Sequence, residues 1–356
     1  MPQVLILFLG STVLAFLAAL LISPLVAWVS HRFSLLDIPG GRRLHLHPIP
    51  RPGGIAVAAA FGVTIFTFWL IDSFLGRPFL IPEDVRSPRF TLTAFAAVVG
   101  LAVGFLDDVF DLRARWQLMG HLTIAWVVVF AGIRIDFITD PFDADQLIQL
   151  APALAVGFTV FWLMGMNVAL NWLDGLDGLA TGVGIIAALT LGGTALLPTV
   201  NEPFVAWMSF TLAGALVGFL FFNFHPARLF LGTTGVTFLG TMLAVLSIFG
   251  TAKVSTALLV LAVPILDTFY VIVRRLLQGR PPFAPDRGHL HHRLVDIGMT
   301  HPQAVLAIYA VTVGLAALTF ITTGAVQIAI FVAFALLLGV VILRMPERAI
   351  PERADG

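Results

Sequence analysis

Cysteine is absent from the chain. Disulfides and thiolate metal sites are therefore excluded, and the redox compartment cannot be read. Charge is scarce: only 11% of the 356 residues are charged, against about 25% in a soluble domain. No basic tract points to nucleic acid, so none is expected as a partner. The marks of a cleaved leader are also missing. No basic segment precedes the first apolar run, and no A-x-A site closes it. That run, 4–29, exceeds the roughly 20 residues a span needs and is expected to be an anchor.

Apolar residues are what the chain has in place of charge. They make up 59% of it, with a mean hydropathy of +0.99, the composition of an integral membrane protein. Apolar runs fall near 4–29, 55–71, 90–106, 118–135, 150–170, 180–197, 204–222, 236–252, 255–273, 303–323 and 325–343. The third is short enough to be partly re-entrant. The expectation is an all-α polytopic membrane protein of ten to eleven transmembrane helices. Residues 1–343 would be a single domain and 344–356 a polar cytosolic tail. No internal repeat is evident, which weakens an inverted-repeat transporter reading.

Arginine sets the orientation. Loops after odd-numbered runs, with the C-terminus, hold 15 of the 20 basic residues. Those loops are expected in the cytosol, with the N-terminus outside. They also carry every polar motif, so the expected site is a cytosolic cleft open to water and lipid.

The densest motif is N-V-A-L-N-W-L-D-G-L-D-G-L-A-T, from Asn167 to Thr181. On one helix Asn167, Asn171, Asp174 and Asp177 would share a face. Helix capping accounts for one carboxylate; two Asp and two Asn together suggest a functional face. Asp107 and Asp108 follow the third run in G-F-L-D-D. Adjacent carboxylates favour a hard cation such as Mg²⁺ shared with a phosphate; salt bridges to Arg113 and Arg115 are the alternative. In the first loop, Arg42, Arg43, His45 and Arg51 suit a phosphate, or simple retention on the cytosolic side. N-F-H-P-A-R-L-F-L-G-T-T-G follows the seventh run. Its glycines are either phosphate-binding or an ordinary turn. P-D-R-G-H-L-H-H-R-L gathers Arg287, His289, His291, His292 and Arg293. No H-E-x-x-H pattern supports zinc there, and contacts to a diphosphate fit better.

G-F-L-D-D, N-W-L-D-G-L-D-G-L-A, N-F-H-P-A-R-L-F-L-G and P-D-R-G-H-L-H-H-R-L occur in this order between Asp37 and His301. Together they resemble the polyprenyl-phosphate N-acetylhexosamine-1-phosphate transferases, the superfamily that includes phospho-N-acetylmuramoyl-pentapeptide transferase. The H-L-H-H-R-L form looks more like the branch that starts O-antigen, enterobacterial common antigen and teichoic acid linkage units. The resemblance implies transfer of a sugar-1-phosphate, first of all N-acetylglucosamine-1-phosphate, from a UDP-sugar to undecaprenyl phosphate. UMP is released, Mg²⁺ or Mn²⁺ is required, and the setting is a bacterial cytoplasmic membrane. It implies a homodimer as well.

Roles follow by resemblance. Asp107 and Asp108 would handle the lipid phosphate, its proton and the metal, with Asn171 as a further ligand. Asp174 and Asp177 would lie on the nucleotide side, and Asn223 and Phe230 at the uracil. His289, His291 and His292, with Arg287 and Arg293, would clamp diphosphate and sugar. Arg42, Arg43 and His45 would bind substrate. One departure matters. Where the family usually carries G-D-x-G-S, this chain has Gly232-Thr233-Thr234-Gly235-Val236. Thr233 stands at the usual metal Asp, and a hydroxyl is a weaker ligand for a hard cation than a carboxylate. An active enzyme and a binding-only paralogue are both compatible with that change. A lipid-linked sugar transporter is the third reading, with Asp267 its one midplane candidate.

Overall fold

The computed structural model describes residues 2–38, 47–75, 81, 88–139, 147–249, 253–283 and 288–345. The fold is a bundle of helices, because in lipid a chain must satisfy its backbone polar groups internally. The helices are α1 (Pro2–Arg32), α2 (Gly54–Phe74), α3 (Pro88–Phe110), α4 (Ala114–Phe130), α5 (Pro152–Leu173), α6 (Leu179–Ala195) and α7 (Pro203–Asn223). They continue with α8 (Gly232–Ile248), α9 (Lys253–Val260), α10 (Ala262–Leu277), α11 (Leu290–Asp296), α12 (His301–Thr319) and α13 (Gly324–Arg344). Every apolar run of the sequence overlaps one of them. Seven are individually long and apolar enough to cross a membrane, and α9 with α10 gives an eighth as a bent pair. The chain is a multi-pass helical membrane protein.

Helix α8 is the hub. Its residues from Thr234 to Ser247 are buried, and it packs against α2, α3, α5 and α9. The outer helices do the opposite: α1 turns Leu9, Val13, Leu21 and Trp28 outward, as a lipid-facing surface requires.

The break in the bundle is not where the short third run suggested. Helix α3 is 23 residues long and unbroken. The bend of 75° falls between α9 and α10. Pro264 explains it, since its ring excludes the carbonyl four residues back, at Val260, where α9 ends.

Two small antiparallel pairs qualify the all-α expectation. β1 (Leu36–Asp37) pairs with β2 (Ile49–Pro50), and β3 (Phe137–Thr139) with β4 (Leu147–Gln149). The first pair positions the site. Phe230 N–H donates to Pro50 O, and Gly53 and Gly54 N–H donate to Phe230 O and Leu231 O. The loop after α1 is thereby laced to the loop before α8. The two chains lie so close that a Cβ on Gly54 would fall 2.1 Å from Gly235 Cα.

Candidate active site

Gly104 on α3 begins the construction. A Cβ there would meet Thr233 O at 2.4 Å, so glycine lets the first turn of α8 lie against α3. One helical turn later, Asp108 meets the free amides of that first turn. Its carboxylate accepts from Thr233 N at 2.9 Å, Thr234 N at 2.8 Å and Thr234 Oγ1 at 2.5 Å. A carboxylate at a helix N-terminus is favourable for charge as well.

Asp107 does not join it. Consecutive helical residues point about 100° apart, and Asp107 turns away to accept from Gln117 Nε2 at 3.0 Å and Leu112 N at 3.2 Å. The expected acidic pair is split: Asp108 lines a cavity and Asp107 braces the α3–α4 corner.

The four-residue face read from Asn167 to Asp177 is also revised. Helix α5 ends at Leu173, and Asp174 leaves helical geometry at φ −76°, ψ 46°. The D-G-L-D-G sequence turns the chain, and Gly178 sits at φ +79° before α6. Asn167 lies in the core, donating to Leu163 O at 2.9 Å and packing on Gly240. Asn171, Asp174 and Asp177 do reach the cavity. Asp174 is partly open to it yet surrounded by protein. Burial, then the charges of Asp108 and Asp177, push its carboxyl up to about 8.

Asp177 is held from three directions. His225 Nδ1 lies 2.9 Å from its Oδ2, Ala227 N–H donates to the same oxygen at 3.1 Å, and its own N–H donates to His301 Nε2 at 2.8 Å. The rings of His225 and His301 stack at 4.5 Å.

Asn223 lines the cavity, but both ends of its amide serve the fold. It donates to Leu229 O at 3.1 Å and accepts from Thr181 Oγ1 at 2.6 Å. Phe230, Thr233 and Val236 complete that wall.

The histidine segment divides. His292 lines the cavity. His289 is the cap of the short α11 and is pinned by Asp267, whose carboxylate lies 2.8 Å from its Nδ1 and accepts from Leu290 N at 2.7 Å. Asp267 is thus spent on a loop, which removes the midplane support for a transporter. His291 is buried between its neighbours. Neither ring nitrogen has a hydrogen-bond partner among the described residues. Burial, then His292, His289 and His301, hold it well below the usual imidazole range.

Arg293 points away from the cavity. Its guanidinium donates to Gly288 O at 2.9 Å, Ile342 O at 2.9 Å and Met345 O at 3.2 Å. It satisfies the end of α13, where carbonyls lack helical partners. It is not among the residues that line the cavity. Arg42, Arg43, His45 and Arg287 lie outside the described residues.

The cavity has a volume of about 740 Å³. Arg51, which the sequence offered to a phosphate, lines it and bridges Asp37 at 3.3 Å and Asp111 at 2.5 Å, which ties the first loop to the end of α3. Two of the cavity's features were not singled out from the sequence. His225 sits inside a quoted motif but had no assigned role. His301 lies nine residues after His292, and the packing of α12 brings it in.

Residues 90–251 match glycosyl transferase family 4. A probable undecaprenyl-phosphate N-acetylglucosaminyl 1-phosphate transferase of Bacillus subtilis is 34% identical, over 84% of this chain and 80% of that protein. The decaprenyl-phosphate N-acetylglucosaminephosphotransferase of Mycolicibacterium smegmatis is 33% identical, over 88% and 82%. An Escherichia coli K12 undecaprenyl-phosphate alpha-N-acetylglucosaminyl 1-phosphate transferase is 28% identical, over 79% and 74%. The chain belongs to this family of membrane-embedded N-acetylglucosamine-1-phosphate transferases.

Proposed function

We propose that the protein transfers N-acetylglucosamine-1-phosphate from a UDP-sugar to undecaprenyl phosphate, releasing UMP, as the first step of a cell-envelope glycan. The observation that carries this reading is the convergence of Asp108, Asn171, Asp174, Asp177 and His292 on one cavity at the end of a membrane bundle. Transfer of a phosphoryl group needs positioning and charge neutralisation more than covalent help.

Asp108 is the member of its pair placed to take the acceptor phosphate's proton. Its position is fixed by α8 amides. Asp177 and Phe230 would face the nucleotide, and His292 the diphosphate. Asn171, Asp174 and Asp108 line the cavity together and would offer oxygen donors to Mg²⁺ or Mn²⁺. The upward shift of Asp174 comes first from burial and then from the charges of Asp108 and Asp177, which such a cation would balance. When bound, the cation would neutralise charge on the transferring phosphate.

An apolar groove of about 540 Å³ runs between α2 and α3, with Phe61, Trp69 and Leu101 in its walls. Helix α8 contributes to both, with Val236 lining the cavity and Phe238 the groove. We place the prenyl tail there. The reading also keeps ten to eleven spans, a single domain, a cytosolic cleft, an outside N-terminus, a bacterial cytoplasmic membrane and a homodimer.

A binding-only role is the second reading, and Thr233 motivates it. The test is UMP release from UDP-N-acetylglucosamine with undecaprenyl phosphate and Mg²⁺, for the parent and Thr233→Asp. Lipid-dependent release by the parent supports transfer. Release only by the variant, or by neither with the protein folded, overturns it.

A further inference from the structure

Asp177, His225 and His301 form a cluster of different chemistry from the oxygen groups of Asn171 and Asp174. Their ligand atoms, one from each side chain, all lie within 4.8 Å of one another. The residues come from three elements: the α5–α6 turn, the α7–α8 loop and the first turn of α12. Two imidazoles and one carboxylate are poor ligands for Mg²⁺ and good ones for borderline transition ions.

From this geometry we infer that Asp177, His225 and His301 bind Zn²⁺ or a similar transition ion at the rim of the cavity. Zinc takes imidazole nitrogen and carboxylate oxygen at about 2.0–2.2 Å, so modest rotation of the two rings closes the site. His301 Nε2 accepts the Asp177 amide proton at 2.8 Å, so that nitrogen carries a lone pair rather than a proton, and an ion would take it in place of the amide. The proton that His225 Nδ1 shares with Asp177 Oδ2 moves to its other ring nitrogen, on a side chain that is 39% exposed. The Asp177 amide would then be left to solvent in the cavity. Water or a phosphate oxygen supplies the fourth ligand. These three residues border the cavity that the proposed reaction uses, so a bound ion would hinder the donor; that consequence rests on the proposed function, whereas the binding does not.

The test is calorimetric titration of Zn²⁺ into the purified full-length protein in detergent, in a large excess of Mg²⁺. One zinc per chain is expected, with affinity at least tenfold weaker in both His225→Gln and His301→Gln. Unchanged affinity in both variants, or displacement of zinc by Mg²⁺, overturns the site. If a variant loses its melting transition, modification of the parent by diethyl pyrocarbonate decides. Zinc must shield both His225 and His301, and failure to shield either one refutes the inference. Transferase activity enters neither readout, so an inactive protein would leave this result intact.

Discussion

Two carboxylates that line the same cavity have different surroundings. Asp108 has its oxygens occupied by two backbone amides and a hydroxyl from α8. Asp174 stands in a turn where burial and two neighbouring carboxylates push it up to about 8. The first charge is part of the fold, since it satisfies donors that α8 would otherwise leave orphaned. The second is poised for something positive. Asp108 thus has its partners within the fold, whereas Asp174 has neighbours of its own sign.

That contrast can be broken most sharply at Asp108. Asp108→Asn keeps the shape but not the charge. Transfer, followed as UMP release, is expected to fall by about 10²–10³-fold, the scale of a single electrostatic group. Asp108→Ala should add a fold defect of about 1–3 kcal/mol, because buried amides lose their acceptor. An alanine variant of unchanged melting temperature would contradict the capping role.

Asp174 should show a pH signature instead. Below about 8 the carboxyl holds a proton that a cation must displace. Apparent Mg²⁺ affinity is therefore expected to rise with pH up to about 8 and then level. In Asp174→Asn the affinity should be weaker, with that pH dependence lost. A variant that keeps the same pH dependence would place the titrating group elsewhere.

The tail groove gives a smaller effect. A Cβ at Gly62 meets nothing within 4 Å, so Gly62→Trp can fill the groove without backbone strain. KM for a long-chain acceptor should rise several-fold, while a short-chain acceptor is little affected. Equal effects on both would remove the tail from this groove. Arg293→Met should change least at the site. It should lower the melting temperature, since it strips the end of α13, and leave donor KM within about twofold. A large rise in donor KM would restore Arg293 to the substrate clamp.

Much of the bundle was legible because lipid imposes a local rule: each span must be apolar and helical. The motif stretches were legible because polar residues are scarce among 59% hydrophobic ones. Directions were not. Asp107 and Asp108 are equivalent as letters, yet only one faces the cavity. Extending α5 through Asp177 put Asn167 on a functional face, whereas the turn after Leu173 leaves it in the core. Arg293 read as part of a clamp because its neighbours are histidines, and the partner it serves lies some fifty residues away at Ile342. His301 carried no local signal at all.

The sequence by itself determined that this chain lives in a membrane, which stretches hold its scarce polar residues and which family it resembles. Those properties depend on composition and on short motifs, which need no knowledge of neighbours. Tertiary structure alone decided which carboxylate caps α8, which one stays uncompensated, and which histidines meet across the turn. Each of those outcomes depends on where helices end and on 100° steps around them, and the packing of distant segments settles both.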